Sequence, residues 1–195
     1  MADARAVPCL VLASASPRRL ELLRQIGIEP AAVVLAAIEE RALPRELPRA
    51  CAMRLAEAKA SAVASTHPDA YVLGADTVVA CGRRILPKAL DEATARRCLT
   101  LLSGRRHRVL GGLCIIAPGG RRARRLVTSI VAFARLEPRD IDAYIAAGEW
   151  RDKAGGYAIQ GCAAAFVRHL SGSYSNVVGL PLHETAALLR GLGFR

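Results

Sequence analysis

Strand-like runs and helical periodicities alternate along almost the whole chain, and that alternation points to an α/β fold. Cys9 to Ala13 reads as a buried strand, and Ala31 to Leu35 as a short one. Between them Ser16 and Pro17 stand at N-cap and first-turn positions, and Leu20, Leu23 and Ile26 follow at helical spacing. Arg49 to Ala64 reads as a helix with Ala52, Leu55, Ala56, Ala62 and Val63 on one face. Tyr71 to Cys81 is strand-like with an interruption at Gly74, and Asp91 caps a helix that buries Ala95, Cys98, Leu99 and Leu102. Val109 to Ala117 and Leu126 to Ala134 pair through the turn Pro118-Gly119-Gly120. A helix from Pro138 to Ala147, an irregular run from Gly148 to Gly161, a strand from Ala165 to Leu170 and a helix from Pro181 to Leu192 complete the pattern. No repeat or polar linker divides the chain, so residues 1–195 are expected to form one domain.

Hydrophobic residues make up 52% of the chain, enough for a sizeable core, but aromatics are only 4%, so Ala, Leu, Val and Ile must fill it. No stretch of about 18 uncharged apolar residues predicts a membrane span. Met1 to Pro8 lacks an apolar run before a cleavage site, which argues against secretion. Cys9, Cys51, Cys81, Cys98, Cys114 and Cys162 form no C-x-x-C pair, and are expected to be buried free thiols of a reducing cytoplasm. The net charge of +11 favours polyanions without choosing among nucleic acid, anionic membrane and phosphorylated small molecules. Nearly all the basic residues are Arg. The three lysines, Lys59, Lys88 and Lys153, therefore mark positions where a compact ammonium is needed.

Four segments can carry chemistry. Ser14-Ala-Ser-Pro-Arg-Arg19 lies where a strand turns into a helix. It is either an anion site built from helix N–H groups, hydroxyls and two arginines, or an ordinary cap with solvated arginines. Asp76 is the only charged side chain between Asp69 and Arg83. A carboxylate in such an apolar run needs a cation, a metal or a catalytic role, and Gly74 beside it would admit a ligand close to the backbone. Lys59 falls on the apolar stripe of its helix, where it either snorkels to the edge or reaches a phosphate across a cleft. The Gly-rich run ends in Ile159-Gln160-Gly161, and Gln160 could read a base edge or orient water. Lys88, in a loop before a helix cap, looks like surface when taken singly, as do Arg121, Arg122, Arg124 and Arg125. His67, His107, His169 and His183 show no metal-ligand spacing, and neither a P-loop nor a G-x-S-x-G elbow is present.

Five stretches of the chain together resemble the Maf family: Leu12-Ala-Ser-Ala-Ser-Pro-Arg-Arg-Leu-Glu-Leu-Leu23, Val72-Leu-Gly-Ala-Asp-Thr-Val-Val79, Leu102-Ser-Gly-Arg-Arg-His107, Asp152-Lys-Ala-Gly-Gly-Tyr-Ala-Ile-Gln-Gly161 and Gly172-Ser-Tyr-Ser-Asn-Val-Val-Gly-Leu-Pro-Leu182. The resemblance implies a mixed twisted sheet with flanking helices, in two lobes around a cleft, similar to inosine triphosphate pyrophosphatases. It implies hydrolysis of a nucleoside triphosphate between its α and β phosphates with a divalent cation, Mg²⁺ or Mn²⁺, by a cytoplasmic homodimer. The family's motif positions fall on Ser14, Arg18, Arg19, Glu40, Lys59, Asp76, Lys88 and Gln160. Asp76 matches the proton acceptor, and Asp76 and Glu40 would hold the metal. Two departures stand out: Arg-Val-Leu-Gly-Gly follows His107 where a threonine is expected, and Lys88 sits in Pro-Lys-Ala rather than Gly-Lys-Pro.

Ile-Gln-Gly resembles the branch acting on dTTP and UTP, whereas the branch acting on 7-methyl-GTP carries Ser-Glu-Gly. A neutral Gln160 amide can both donate and accept, which suits a pyrimidine carbonyl and ring N–H. The alternatives are a 7-methyl-GTP or broad-specificity pyrophosphatase, or a non-catalytic basic regulator of cell division acting through nucleic acid. The scarcity of aromatics weighs against stable nucleic-acid binding.

Overall fold

The computed structural model describes residues 9–195, so the N-terminal segment Met1 to Pro8 and the expectation about secretion lie outside it. Seven strands form one mixed sheet in the order β2-β1-β3-β5-β6-β7, with β4 pairing β3 off that path. They are β1 (Leu10–Ala13), β2 (Ala32–Val33), β3 (Tyr71–Cys81), β4 (Arg84–Leu86), β5 (Arg106–Ile116), β6 (Arg122–Phe133) and β7 (Val167–Ser171). The pairs among β2, β1 and β3 are parallel, and the rest are antiparallel. Six helices flank the sheet: α1 (Pro17–Gln25), α2 (Pro48–Ala64), α3 (Glu92–Leu102), α4 (Pro138–Ala147), α5 (Tyr174–Val178) and α6 (Leu182–Leu192). No helix among the described residues is long and apolar enough to cross a membrane.

Where the edge of β3 is left open decides where the site lies. β1 pairs with β3 only as far as Gly74, and β4 takes up the same edge from Val79. Residues 75–78 therefore have no strand beside them on that side, and Asp76 and Thr77 fall in the gap. Side chains alternate across the sheet. Val72, Val78 and Ala80 pack in clusters with residues of α2, while Leu73 and Ala75 pack with residues of α1 and α6. Asp76 thus faces α2, and Thr77 faces α1.

The near-absence of aromatics is compensated by close approach. Ala52, Ala56 and Ala60 recur every fourth residue of α2 and are fully buried. They lie on the glycines of β3 and β5. A Cβ on Gly74 would meet the Ala56 carbonyl and stand 2.6 Å from Ala60 N, and one on Gly112 would meet the Ala52 carbonyl group. Gly74 therefore serves helix packing, not ligand approach, and β3 runs through it without a break. Along α2 the buried face is Cys51, Ala52, Leu55, Ala56, Lys59, Ala60 and Val63, and Ala62, expected inside, is exposed. In α1 the buried residues are Arg19, Leu22 and Leu23, while Ile26 reaches solvent just past the helix end.

Asp91 caps α3 by accepting the Thr94 N–H, and Ala95, Cys98, Leu99 and Leu102 are buried as expected. Their core also holds His107, which meets the Tyr157 hydroxyl at 2.8 Å and packs edge-on against Phe133. Burial lowers its pKa to about 4, so it is a neutral core residue. The thiols are all free, but only Cys51, Cys98 and Cys114 are buried, Cys81 is half-buried, and Cys9 and Cys162 are exposed.

Candidate active site

Ser14, Arg18, Arg19, Glu40, Lys59, Asp76, Lys88 and Gln160 all line one cleft of about 450 Å³, a size suited to a small ligand. Asp152, Lys153 and Thr77 line it too. Five cationic side chains there face three carboxylates, so the cleft is net positive.

One wall is a row of alternating charges. Asp76 Oδ1 accepts from Lys59 Nζ at 2.8 Å, and the same ammonium lies 2.8 Å from Glu40 Oε1. Glu40 Oε2 in turn accepts from Lys88. The inner pair is deeply buried, with side-chain exposures of 6% for Lys59 and 7% for Asp76. Lys59 on the apolar stripe of α2 is therefore a partner for carboxylates inside the cleft, not a snorkelling residue. Burial pushes the Glu40 carboxyl up, but hydrogen bonds from Lys59 and Lys88 outweigh it and hold the group at about 2.

A carboxyl held below its ordinary value stabilises the fold above that value and loses the contribution as the pH falls toward the depressed one. Here the window runs from about 4.5 down to about 2. We expect Lys88→Ala to move the Glu40 midpoint upward within that window, read by NMR of the side-chain carboxyl. An unmoved midpoint would remove Lys88 from the row.

The opposite wall is the start of α1. Ser16 holds the N-cap, but its side chain makes no capping bond. Instead Ser14 Oγ accepts the Ser16 N–H at 3.1 Å and Arg19 Nη1 at 3.0 Å. Arg19 also donates to the Gly179 carbonyl at 2.9 Å and to Thr77 Oγ1 at 3.2 Å. This buried guanidinium thus spends its nitrogens on the protein and ties β1, β3 and the end of α5 together. The two neighbouring arginines, expected to act alike, are in different environments. Arg18 faces the cleft with a buried Nε that has no partner among the described residues. Burial lowers the pKa of Arg18, opposed by Glu21 and Asp152. Burial, and then the charge of Arg18, lower that of Lys153. The charge of Arg18 at the start of α1 thus weighs on Lys153, and a bound polyanion would relieve it.

The Gly-rich run forms the floor, and its turn conformation depends on Gly155 and Gly156, both at positive φ. The Lys88 loop is sewn to it: Ala89 N–H donates to the Lys153 carbonyl, Asp152 N–H to the Ala89 carbonyl, and Gly155 N–H to the Pro87 carbonyl, each at 3.0 Å. Pro-Lys-Ala therefore aims Lys88 as firmly as backbone bonds allow. The residues after Gly172 form a short capped helix: Ser173 accepts the Asn176 N–H, and buried Asn176 donates to the Val109 carbonyl and Ser129.

Thr77 and Lys153 were not among the sequence-based candidates. Thr77 was visible as the one other polar side chain in the run around Asp76. Lys153 was visible as the third lysine. Among the described residues no group of three or more His, Cys, Asp or Glu side chains is arranged to hold a metal. Asp76 and Glu40 are nevertheless hard oxygen donors on one wall, with the Lys59 ammonium between them. These carboxylate oxygens are the hard donors that this wall could offer a divalent ion.

Fold and site together define an α/β protein with a basic cleft walled by paired carboxylates and ammonium groups. The chain belongs to the Maf family, whose description, Maf-like protein, matches residues 9–192. It is 68% identical over 185 residues to a dTTP/UTP pyrophosphatase of Paramagnetospirillum magneticum, covering 95% of this chain and 97% of the relative. Proteins of the same name from Rhodospirillum rubrum (61% identical, 95% and 89% covered) and Caulobacter vibrioides (58%, 96% and 97%) are similar over nearly their full lengths. Among solved structures it is similar to a nucleoside-triphosphatase / dITP/XTP pyrophosphatase from Mycobacterium abscessus, with 17% identity, a TM-score of 0.42, and 65% of this chain and 73% of that one covered.

Proposed function

We propose that the chain is a nucleoside triphosphate pyrophosphatase that hydrolyses dTTP and UTP to the monophosphate and pyrophosphate. The observation that carries the mechanism is the buried Asp76 carboxylate, anchored through one oxygen to Lys59 at the edge of a cationic cleft. Asp76 takes a proton from a water that attacks the α-phosphorus, the bond from that phosphorus to the α–β bridging oxygen breaks, and pyrophosphate leaves. Lys59, Lys88, Arg18 and Lys153 neutralise charge on the phosphates, and the N-terminus of α1 adds its N–H groups. Arg19 acts by holding Ser14 and Thr77. A Mg²⁺ or Mn²⁺ ion held by Asp76 and Glu40 would supply further charge neutralisation when bound. Gln160, exposed in the cleft, pairs with the pyrimidine edge. The six free thiols suit a reducing cytoplasm.

A nucleic-acid reading would need the arginines at 121, 122, 124 and 125 on one face. Arg122 and Arg124 reach Ser61 and Glu57 of α2, whereas Arg121 reaches the Leu192 carbonyl of α6, so the cluster is divided between the two sides of the sheet.

Pyrophosphate release from dTTP, UTP, CTP, ATP, GTP and 7-methyl-GTP tests the proposal. We expect kcat/KM for dTTP and UTP to exceed the others by about tenfold or more, the scale of a bidentate side-chain contact to a base. A purine nucleotide in the lead would overturn the substrate assignment. No pyrophosphate from any of them would overturn the reaction.

A further inference from the structure

We propose that Glu149 is a positioning residue that sets the base preference by holding Gln160 in place. The inference rests on the reading of Gln160 as the base contact. Glu149 stands at the start of the Gly-rich run and reaches across to its end, where its Oε2 accepts the Cys162 N–H at 2.8 Å. The carboxylate thereby grips the chain two residues beyond Gln160.

Gly161 fits the same arrangement. Its φ of −108° is one that any residue adopts, so glycine is not required there by backbone conformation. What singles it out is space: only a residue without a Cβ leaves the Glu149 carboxylate where it lies. A Cβ at 161 would stand 2.6 Å from Glu149 Cδ and closer still to Oε2. The carboxylate lies where a side chain would be, and a Cβ would drive it off the Cys162 N–H.

The rest of the turn is fixed from other directions. The Gly161 N–H donates to the Ala158 carbonyl at 3.1 Å, and the Ala158 N–H to the Tyr144 hydroxyl at 3.0 Å. Glu149 supplies the hold on the far side of Gln160. A polar side chain that discriminates bases must present its amide at a fixed angle, because readout depends on pairing both its donor and its acceptor. Glu149 provides that angle without touching the substrate.

The test compares Glu149→Ala, Glu149→Gln, Gly161→Ala, Gln160→Ala and the doubles Glu149→Ala/Gly161→Ala and Glu149→Ala/Gln160→Ala. For each, kcat and KM are measured on dTTP and CTP. Glu149→Ala should lower the preference for dTTP over CTP by about tenfold, mainly through KM for dTTP, with kcat on CTP within about twofold of wild type. That retained turnover also reports intact folding. Glu149→Gln keeps an acceptor oxygen and should restore the preference. Gly161→Ala should reproduce the loss by evicting the carboxylate, and the Glu149→Ala/Gly161→Ala double should be no worse than either single change. In the Gln160→Ala background, Glu149→Ala should change selectivity no further. Equal losses on both nucleotides, or additive effects of Glu149 and Gln160, would overturn the proposal. If Gln160→Ala abolishes the preference and Glu149→Ala leaves it intact, only the role of Glu149 falls. If Gln160→Ala itself leaves it intact, the base-contact reading falls as well.

Discussion

Asp76→Asn is expected to lower turnover on dTTP by about 10² or more while leaving the fold in place. The substitution keeps the shape of the side chain and an oxygen able to accept from Lys59, but removes the charge that takes the proton. The buried ammonium is not stranded, because Glu40 remains 2.8 Å away on its other side. Melting temperature should therefore stay close to wild type while kcat falls, and KM should move little if Asp76 acts mainly in the transition state. Wild-type turnover in this variant would remove Asp76 from the chemistry. A loss of turnover matched by a loss of folded protein would make it a structural ion-pair partner instead.

The sequence carried the layered α/β character, the cap at Asp91, the buried face of α3 and the C-terminal helix, because each rests on local pattern. It did not carry the pairing between elements. Gly74 illustrates the difference: a glycine beside a lone carboxylate suggests room for a ligand, yet the space is filled by α2 at Ala56 and Ala60, well back along the chain. Arg18 and Arg19 look equivalent in sequence, and only the position of Gly179 and Thr77 makes one of them architectural. β4 was missed because three residues after a tight turn show no periodicity. Part of the cleft's lining was legible as well. Charges in apolar surroundings at Asp76 and Lys59, and the persistence of lysine in an arginine-rich chain, are signals of burial and partnership that need no knowledge of topology. Their joining through Glu40 could not be seen, since Glu40 lies in an irregular segment whose path depends on the whole sheet.

Lys59→Ala is expected to be far more damaging to stability than Asp76→Asn, although both alter the same pair. Removing the ammonium leaves Asp76, with 7% side-chain exposure, without its cation, and separates Glu40 from half of its support. An uncompensated charge in a buried pair costs about 3 kcal/mol, which for a domain of this size corresponds to a fall in Tm of roughly 6–12 °C. Turnover should fall by about 10² as well, through the loss of a cation at the phosphates. The double variant Lys59→Ala/Asp76→Asn separates the two effects. Neutralising Asp76 removes the stranded charge, so most of the lost stability should return while activity stays low. Urea unfolding of the two single variants and the double, with kcat measured alongside, checks each step. A Lys59→Ala protein as stable as wild type, or a double variant no more stable than Lys59→Ala alone, would mean that Asp76 does not depend on Lys59. The buried carboxylate would then have to be stabilised by other groups of the cleft.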